Sequence, residues 1–364
     1  MSCQDKFVQF QSRMKQSLIE REEEVDLSLI ALLTGNNVFF CGAPGTAKSM
    51  LANMLVQWIG GEKFSILMTK HTMPEELYGP MDVQAYIKGE YRVITKGMLP
   101  EASVAFLDEI WKASSAISNT LLQILNEGTY TNNGVTTKVP LKACIACSNE
   151  TPNSSEGGRE LAAMFDRFLL RKFVQPVSTG GGKHRLLWGS IDTEVTERIT
   201  DDELKSAKEE VYRVTWSEDA RDNYTKILDE LAHEGIIPGD RRKRLSTEVC
   251  RASAWLAGSD KVESDHLEVL AHTLWVDPEE QPKKTRKIVA KLANPVALKV
   301  TSYLEEVAEI EAGADKDDIQ KTVTIYKKLG EVQEKLQELT GKKAEEALEY
   351  VHNRRIEVGS SFVK

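Results

Sequence analysis

The stretch FFCGAPGTAKSML, residues 39–51, decides how the rest of the chain is read. An apolar run ends in a turn of Gly42, Ala43, Pro44 and Gly45. Then come Thr46, Ala47, Lys48 and Ser49, with Met50 and Leu51 opening a helix. A strand that stops in so permissive a turn, with a lysine and a hydroxyl at the mouth of a helix, is built for phosphate. Backbone N–H groups wrap the anion, the lysine reaches the β and γ phosphates, and the hydroxyl reaches Mg²⁺. Gly42, Gly45, Lys48 and Ser49 meet those needs, and the candidate loop runs on from Gly42 to Met50. The general pattern has glycine before the lysine, where this chain has Ala47. A methyl there demands backbone angles that an L-residue can adopt.

Further along the chain, VAFLDEI (104–110) is an apolar strand ending in two acids. Asp108 is placed to hold Mg²⁺ through water, and Glu109 to polarise an attacking water. CIACSNE (144–150) is another strand with a polar end, where Asn149 can orient that water. AAMFDRFLLR (162–171) brings Arg167, with Arg171 in reserve. An arginine presented to a neighbouring subunit's γ-phosphate neutralises transition-state charge.

Between these motifs the pattern alternates strand and helix, which predicts an α/β fold with a mostly parallel sheet between helices. Residues 4–34 read as one helical segment ending near Gly35, and a helix from Ser49 to about Ile59 stops at Gly60–Gly61. Residues 70–100 are broken by Pro74, Gly79, Pro80, Gly89, Gly97 and Pro100, and read as an insertion with a short hairpin. SSAISNTLLQILNEG (114–128) is an amphipathic helix with Ile117, Leu121, Ile124 and Leu125 on one face. Asn133–Gly134 between β-prone flanks signals a hairpin.

The expected domains are 1–177, the nucleotide-binding α/β unit, and 183–277, an all-helical unit after the linker STGGGK. Thr200 and Glu203 form a capping box in the second. Residues 278–364 form a helical C-terminal segment, with Ile319, Val323, Tyr326, Leu329, Val332, Leu336 and Leu339 at helical spacing and Gly341 as an interruption. They are expected to form a helical hairpin packed on the rest or on a partner.

A chain of 364 residues is too long for one core, consistent with two or three domains. Net charge is −9, from 47 basic and 56 acidic residues, which argues against duplex nucleic acid as the main partner. No apolar run is long enough to cross a bilayer, and the first residues carry no secretory pattern, so no membrane insertion is expected. Five cysteines, an odd number, fit a reducing cytoplasm. Cys144 and Cys147 form a CxxC, but residues three apart on a strand face opposite ways, so they read as buried hydrophobes rather than a redox pair.

Lysine loop, FLDEI, asparagine and DRF arginine, in this order, resemble an AAA+ ATPase, with the loop and the acid pair as its Walker A and Walker B segments. The alanine in GAPGTAKS is similar to the MoxR branch, and LMTKHTMPEELYGP with FLDEIWKA resembles its RavA-like subgroup. The likeness covers about residues 15–277. It implies ATP and Mg²⁺ as cofactors, a homo-oligomeric ring that is commonly a hexamer, and an all-α lid. It also implies a partner with a von Willebrand factor A domain and chaperone-like remodelling of a client protein or protein–cofactor complex. By resemblance, residues 70–100 carry the helix-2 insert, a candidate client-facing element. PGDRRKRL (238–245) resembles the sensor-2 segment, with Arg241 or Arg242 contacting the γ-phosphate. RavA proteins carry a β-rich insertion in their C-terminal region, and this chain shows no such stretch. The competing readings are a nucleic-acid-associated AAA+ motor or loader, and a nucleotide-gated scaffold with little turnover.

Overall fold

In the computed structural model, which describes residues 2–152, 158–312, 319–339 and 342–360, the sheet that carries the loop has five parallel strands. They are β1 (Asn37–Cys41), β2 (Lys63–Leu67), β3 (Val104–Asp108), β6 (Ala143–Ser148) and β7 (Phe168–Phe173), in the order β2-β3-β6-β1-β7. Helices cover both faces, so the central strands are buried on both sides. Val38 and Phe40 belong to one apolar cluster, Phe39 and Cys41 to the other. Cys144 and Cys147 split between the two clusters in the same way. They are buried free thiols, as their spacing on a strand predicts.

The expected single helix over 4–34 is two: α1 (Cys3–Ser17) and α2 (Glu22–Thr34). The break at 18–21 includes Glu20, whose φ of 55° no helix accommodates. A helical pattern could not reveal this, because both sides of the break are apolar at helical spacing. Helix α2 ends at Gly35 in the left-handed region, and α3 (Lys48–Ile59) ends at Gly60.

The insertion holds α4 (Pro74–Tyr78) and α5 (Val83–Ile87), and the expected hairpin is reduced to one antiparallel bridge, Met81 to Val93. Helix α6 (Ser115–Glu127) leads into the hairpin of β4 (Thr129–Asn132) and β5 (Val135–Lys138). Its turn residues Asn133 and Gly134 have φ of 50° and 75°, the geometry that an Asn-Gly turn supplies. Helix α7 (Gly158–Arg167) runs directly into β7.

STGGGK is not a bare linker: Thr179 caps α8 (Gly180–Trp188). Helix α9 (Asp201–Arg213) starts at the Thr200/Glu203 capping box. Then follow α10 (Glu218–His233), α11 (Asp240–Leu256) and a 3-10 segment, Ser264–His272. Short strands β8 (Thr215–Trp216) and β9 (Lys261–Val262) pair between them. Helix α12 (Gln281–Ala293) buries Ile288, Val289 and Ala293 in the same cluster as α10 and α11. A boundary at Asp277 therefore cuts a packed unit, because Pro278 is only a turn before its last helix.

Helices α13 (Pro295–Ala312), α14 (Ile319–Gln337) and α15 (Lys342–Ser360) share a separate core. Leu329, Val332 and Leu336 are buried in it, while Tyr326 and Leu339 are half-buried. The side chains of Ile319 and Val323, and Gly341 itself, lie outside the described residues. The expected hairpin is thus α14 and α15, with α13 completing its core through Val300 and Val307. No strand occurs among the described residues after Asp277.

Candidate nucleotide site

Residues 42–47 join the carboxyl end of β1 to α3, at the edge of the sheet where ligands of open α/β folds bind. The backbone is shaped for that join. A side chain on Gly42 would put its Cβ 2.5 Å from the Val174 carbonyl oxygen. Ala47 has φ 64° and ψ 15°, the left-handed conformation that glycine occupies without strain. The methyl does not select an ordinary L-residue geometry here, so the sequence expectation for this position was wrong. Ala47 takes the glycine conformation at a cost of about 1–2 kcal/mol.

Lys48 Nζ donates to the carbonyl oxygens of Gly42 at 2.6 Å and Ala43 at 3.0 Å. Thr46 Oγ1 donates to Ala43 O at 2.9 Å, and Arg21 Nε donates to Thr46 O at 3.0 Å, bracing the loop from behind. The ammonium thus sits in the mouth of the loop on neutral oxygens, a donor that an incoming anion can take over. Ser49 is exposed on the first turn of α3. Among the described residues no cluster of His, Cys, Asp and Glu could cage a metal. A hydroxyl and one carboxylate suit Mg²⁺, which keeps water and phosphate oxygens as its other ligands. Ser49 and Asp108 carry donors of those two types.

Strands β3 and β6 are adjacent, so Asp108, Glu109, Ser148 and Asn149 emerge at one edge. Asp108 Oδ1 accepts the Glu109 N–H at 3.1 Å. Glu109 has φ 53°, a strained geometry of the kind found where a side chain must be aimed. Its carboxylate is buried, pairs with Lys112 Nζ at 3.2 Å, and accepts from Ser148 Oγ at 3.3 Å. Gly42 N donates to Ser148 O at 3.0 Å, which ties the loop to the same strand end. Ser148 and Lys112 were not singled out in the sequence, since a serine and a lysine beside polar strand ends look ordinary there. Asn149 is exposed and lines a cavity of about 1230 Å³ with Gly42, Ala43 and Glu150.

A smaller, mostly apolar cavity of about 250 Å³ lies on the other side of the loop. Leu18, Ile19, Met50, Val177, Leu186 and Ile191 line it beside Gly45–Ala47. Met50 belongs to the candidate loop, whereas the other five come from segments that no sequence signal marked. Burial raises the Cys41 thiol to about 11 and the Cys147 thiol well above its ordinary value, so neither is a thiolate near neutrality.

The arginines lie elsewhere. Arg167, at the end of α7, and Arg241, in the first turn of α11, line a cavity of about 200 Å³ with Asn36 and Asn37 at the amino end of β1. Five strand residues, about 13 Å of rise, separate that end from the phosphate loop. Arg241 and the loop therefore lie at opposite ends of β1 within one subunit.

Two alternatives are corrected as well. Arg242 is buried and donates to Leu169 O at 3.0 Å, Thr273 O at 2.7 Å and Asp166 Oδ1 at 3.2 Å. Arg171 is 1% exposed and donates to Phe168 O at 2.7 Å, Phe165 O at 2.7 Å and Trp275 O at 3.0 Å. Its guanidinium lies 3.8 Å over the Phe165 ring. Both knit β7 to the helical unit and cannot reach a neighbour. Burial lowers both pKa values, and a cationic neighbour adds to each, Arg242 beside Arg171 and Arg241 beside Arg242. Arg167 keeps a partly exposed side chain and pairs with Asp166 at 3.1 Å.

Residues 5–213 match a family model described as the MoxR domain in the MoxR-vWA-beta-propeller ternary systems. The chain belongs to the MoxR family of AAA+ ATPases. Residues 221–289 of this MoxR protein match a model of the AAA lid domain, which includes most of α12. Two uncharacterized proteins of Methanocaldococcus jannaschii are similar. MJ0812 is 32% identical over 94% of this chain and 90% of its own length, and MJ0079 is 31% identical over 87% and 82%. Chaperone MoxR1 of Mycobacterium tuberculosis is 25% identical over 43% of this chain and 41% of its own length. A crystal structure of a candidate ATPase from Cytophaga hutchinsonii superposes with a TM-score of 0.61 at 19% identity, covering 79% of this chain and 95% of that one. That likeness shows a shared AAA+ fold. Among the described residues no helix is long and apolar enough to cross a membrane.

Proposed function

We propose that this MoxR-family protein binds ATP with Mg²⁺ at Gly42–Met50 and hydrolyses it at sites shared between subunits of a closed ring, taken to be a hexamer. The observation that carries the reading is the separation within one chain. Lys48, Asp108, Glu109 and Asn149 gather at the carboxyl edge of the sheet, while Arg167 and Arg241 share a cavity at the opposite edge. One subunit's phosphate loop is completed by the next subunit's arginines.

In this reading Lys48 and the loop N–H groups hold the β and γ phosphates, and Ser49 and Asp108 hold Mg²⁺. The metal neutralises phosphate charge when bound. Glu109 polarises the water and Asn149 orients it. Arg167 and Arg241 of the neighbour stabilise charge on the γ-phosphate as its bond breaks. The apolar cavity beside Ala47 receives the adenine ring.

The work done with that energy is chaperone-like remodelling of a client protein or protein–cofactor complex. MoxR1's description as a chaperone supports this, and the family model's ternary systems support a von Willebrand factor A domain partner. The insertion exposes Met73, Val83, Tyr86, Ile87 and Tyr91 toward such a client. The domain reading is a nucleotide-binding unit to about residue 177, a lid continuing through α12, and a separate helical unit over α13–α15.

The test mixes two inactive variants. Arg167→Ala keeps ATP affinity and lowers turnover by roughly 10³-fold. Glu109→Gln binds without hydrolysing. Mixed subunits regain activity, because some interfaces pair an intact Glu109 with an intact Arg167. No recovery on mixing, or full ATPase from a monomeric preparation, sinks the shared site.

A further inference from the structure

Glu20 sits between the two walls of the apolar cavity without lining it. Leu18, Ile19 and Arg21 form one wall, and Val177, Leu186 and Ile191 form the other. The Glu20 carboxylate bridges them. Oε2 accepts the Ser178 N–H at 2.8 Å and its hydroxyl at 3.2 Å. Oε1 accepts the Thr179 N–H at 3.0 Å and its hydroxyl at 2.6 Å. Thr179 is the cap of α8, so the carboxylate occupies the positive end of that helix. These bonds, the Thr179 hydroxyl foremost and then the Ser178 N–H, lower the Glu20 pKa to about 2.

Four further features show that this contact is built. Glu20 holds φ 55°, a conformation that a glutamate adopts only when its surroundings impose it. Gly182 leaves room for it, since a Cβ there would lie 2.1 Å from Glu20 Oε1. The next residue, Arg21, donates to Thr46 O in the phosphate loop. Towards the other end of α8, Arg185 Nη2 donates to Gln16 O at 2.6 Å, so the helix is tied to residues 16–20 at both ends.

We infer that Glu20 is a positioning residue which latches α8 across the base-side cavity and thereby sets how long the nucleotide stays bound. The inference rests on the nucleotide reading of the loop. Opening the latch frees the wall carrying Leu186 and Ile191 without touching Lys48, Asp108 or Glu109. Its signature is therefore in release and KM, with the chemical step retained.

The experiment measures release of a fluorescent ATP analogue by stopped flow, steady-state ATP kinetics and thermal unfolding. The proteins are the wild type, Glu20→Ala, Glu20→Gly, Gly182→Ala and Lys48→Ala. Glu20→Gly removes the carboxylate but takes the positive φ without strain, so its melting temperature falls less than that of Glu20→Ala. Release and KM rise about tenfold in both Glu20 variants, the scale of a lost helix-terminal interaction, while kcat stays within about twofold. Gly182→Ala, which pushes a methyl onto Oε1, reproduces the effect. Unchanged release in Glu20→Gly and Gly182→Ala, with Lys48→Ala unable to bind, overturns the latch alone. Equal losses of kcat and melting temperature in Glu20→Gly also overturn it, by making Glu20 merely structural. Undiminished ATP affinity in Lys48→Ala overturns the nucleotide reading and the latch together.

Discussion

The two edges of the central sheet are chemically opposite. At the carboxyl edge, Asp108, Glu109 and Asn149 share the edge with Lys48, whose partners are carbonyl and hydroxyl oxygens. At the amino edge, Arg167, Arg171, Arg241 and Arg242 crowd around one carboxylate, Asp166, which pairs with three of them. Yet the four arginines are not equivalent. Arg171 and Arg242 spend their donors on backbone carbonyls inside the subunit, whereas Arg241 is exposed and Arg167 is partly so. Basic residues a few positions apart thus divide between holding the subunit together and opening to solvent, and burial decides which does which.

That contrast is breakable by experiment. The largest effect is expected at the carboxyl edge. Lys48→Ala should abolish ATP binding in an equilibrium titration, and Glu109→Gln should bind normally while turnover disappears. Normal ATPase in both would remove the edge's chemical role. Next come the buried arginines. Arg171→Ala or Arg242→Ala leaves several buried carbonyls without donors, and should destabilise the fold by about 3–5 kcal/mol in denaturant unfolding. Arg167→Ala should cost less than about 1 kcal/mol, as a partly exposed ion pair does. Equal losses at all of these positions would erase the division drawn above.

The smallest effect is expected at Ala47. Ala47→Gly relieves the left-handed strain but loosens the unfolded chain, two terms of about 1 kcal/mol each that oppose one another. Stability should change by less than about 1 kcal/mol and ATP affinity should be preserved. A large loss of affinity would show that the methyl itself contacts the ligand.

Much of the fold was legible because local rules point the same way. The glycine turn, the apolar strands and the Asn133–Gly134 hairpin each carry their geometry in adjacent residues. The break at Glu20 was not legible, because a glutamate at positive φ has no propensity signature. The end of the helical unit was not legible at Asp277, because Pro278 marks only a turn, and it takes the burial of Ile288 and Val289 to pack α12 with what precedes it.

At the site, sequence alone located the glycine–lysine loop between β1 and α3 and the acid pair at the end of β3, since each is written in residues adjacent to one another. It also determined the CxxC, whose strand periodicity separates the two sulfurs. Tertiary structure alone decided the arginines. Arg241 and Arg242 are adjacent in the chain, and one faces outward while the other is buried on Asp166, Leu169 and Thr273. A one-residue step on a helix turns a side chain by about 100°, so which of two neighbours meets the core depends on what packs against that helix, and those partners lie about 70 and 30 residues away in sequence.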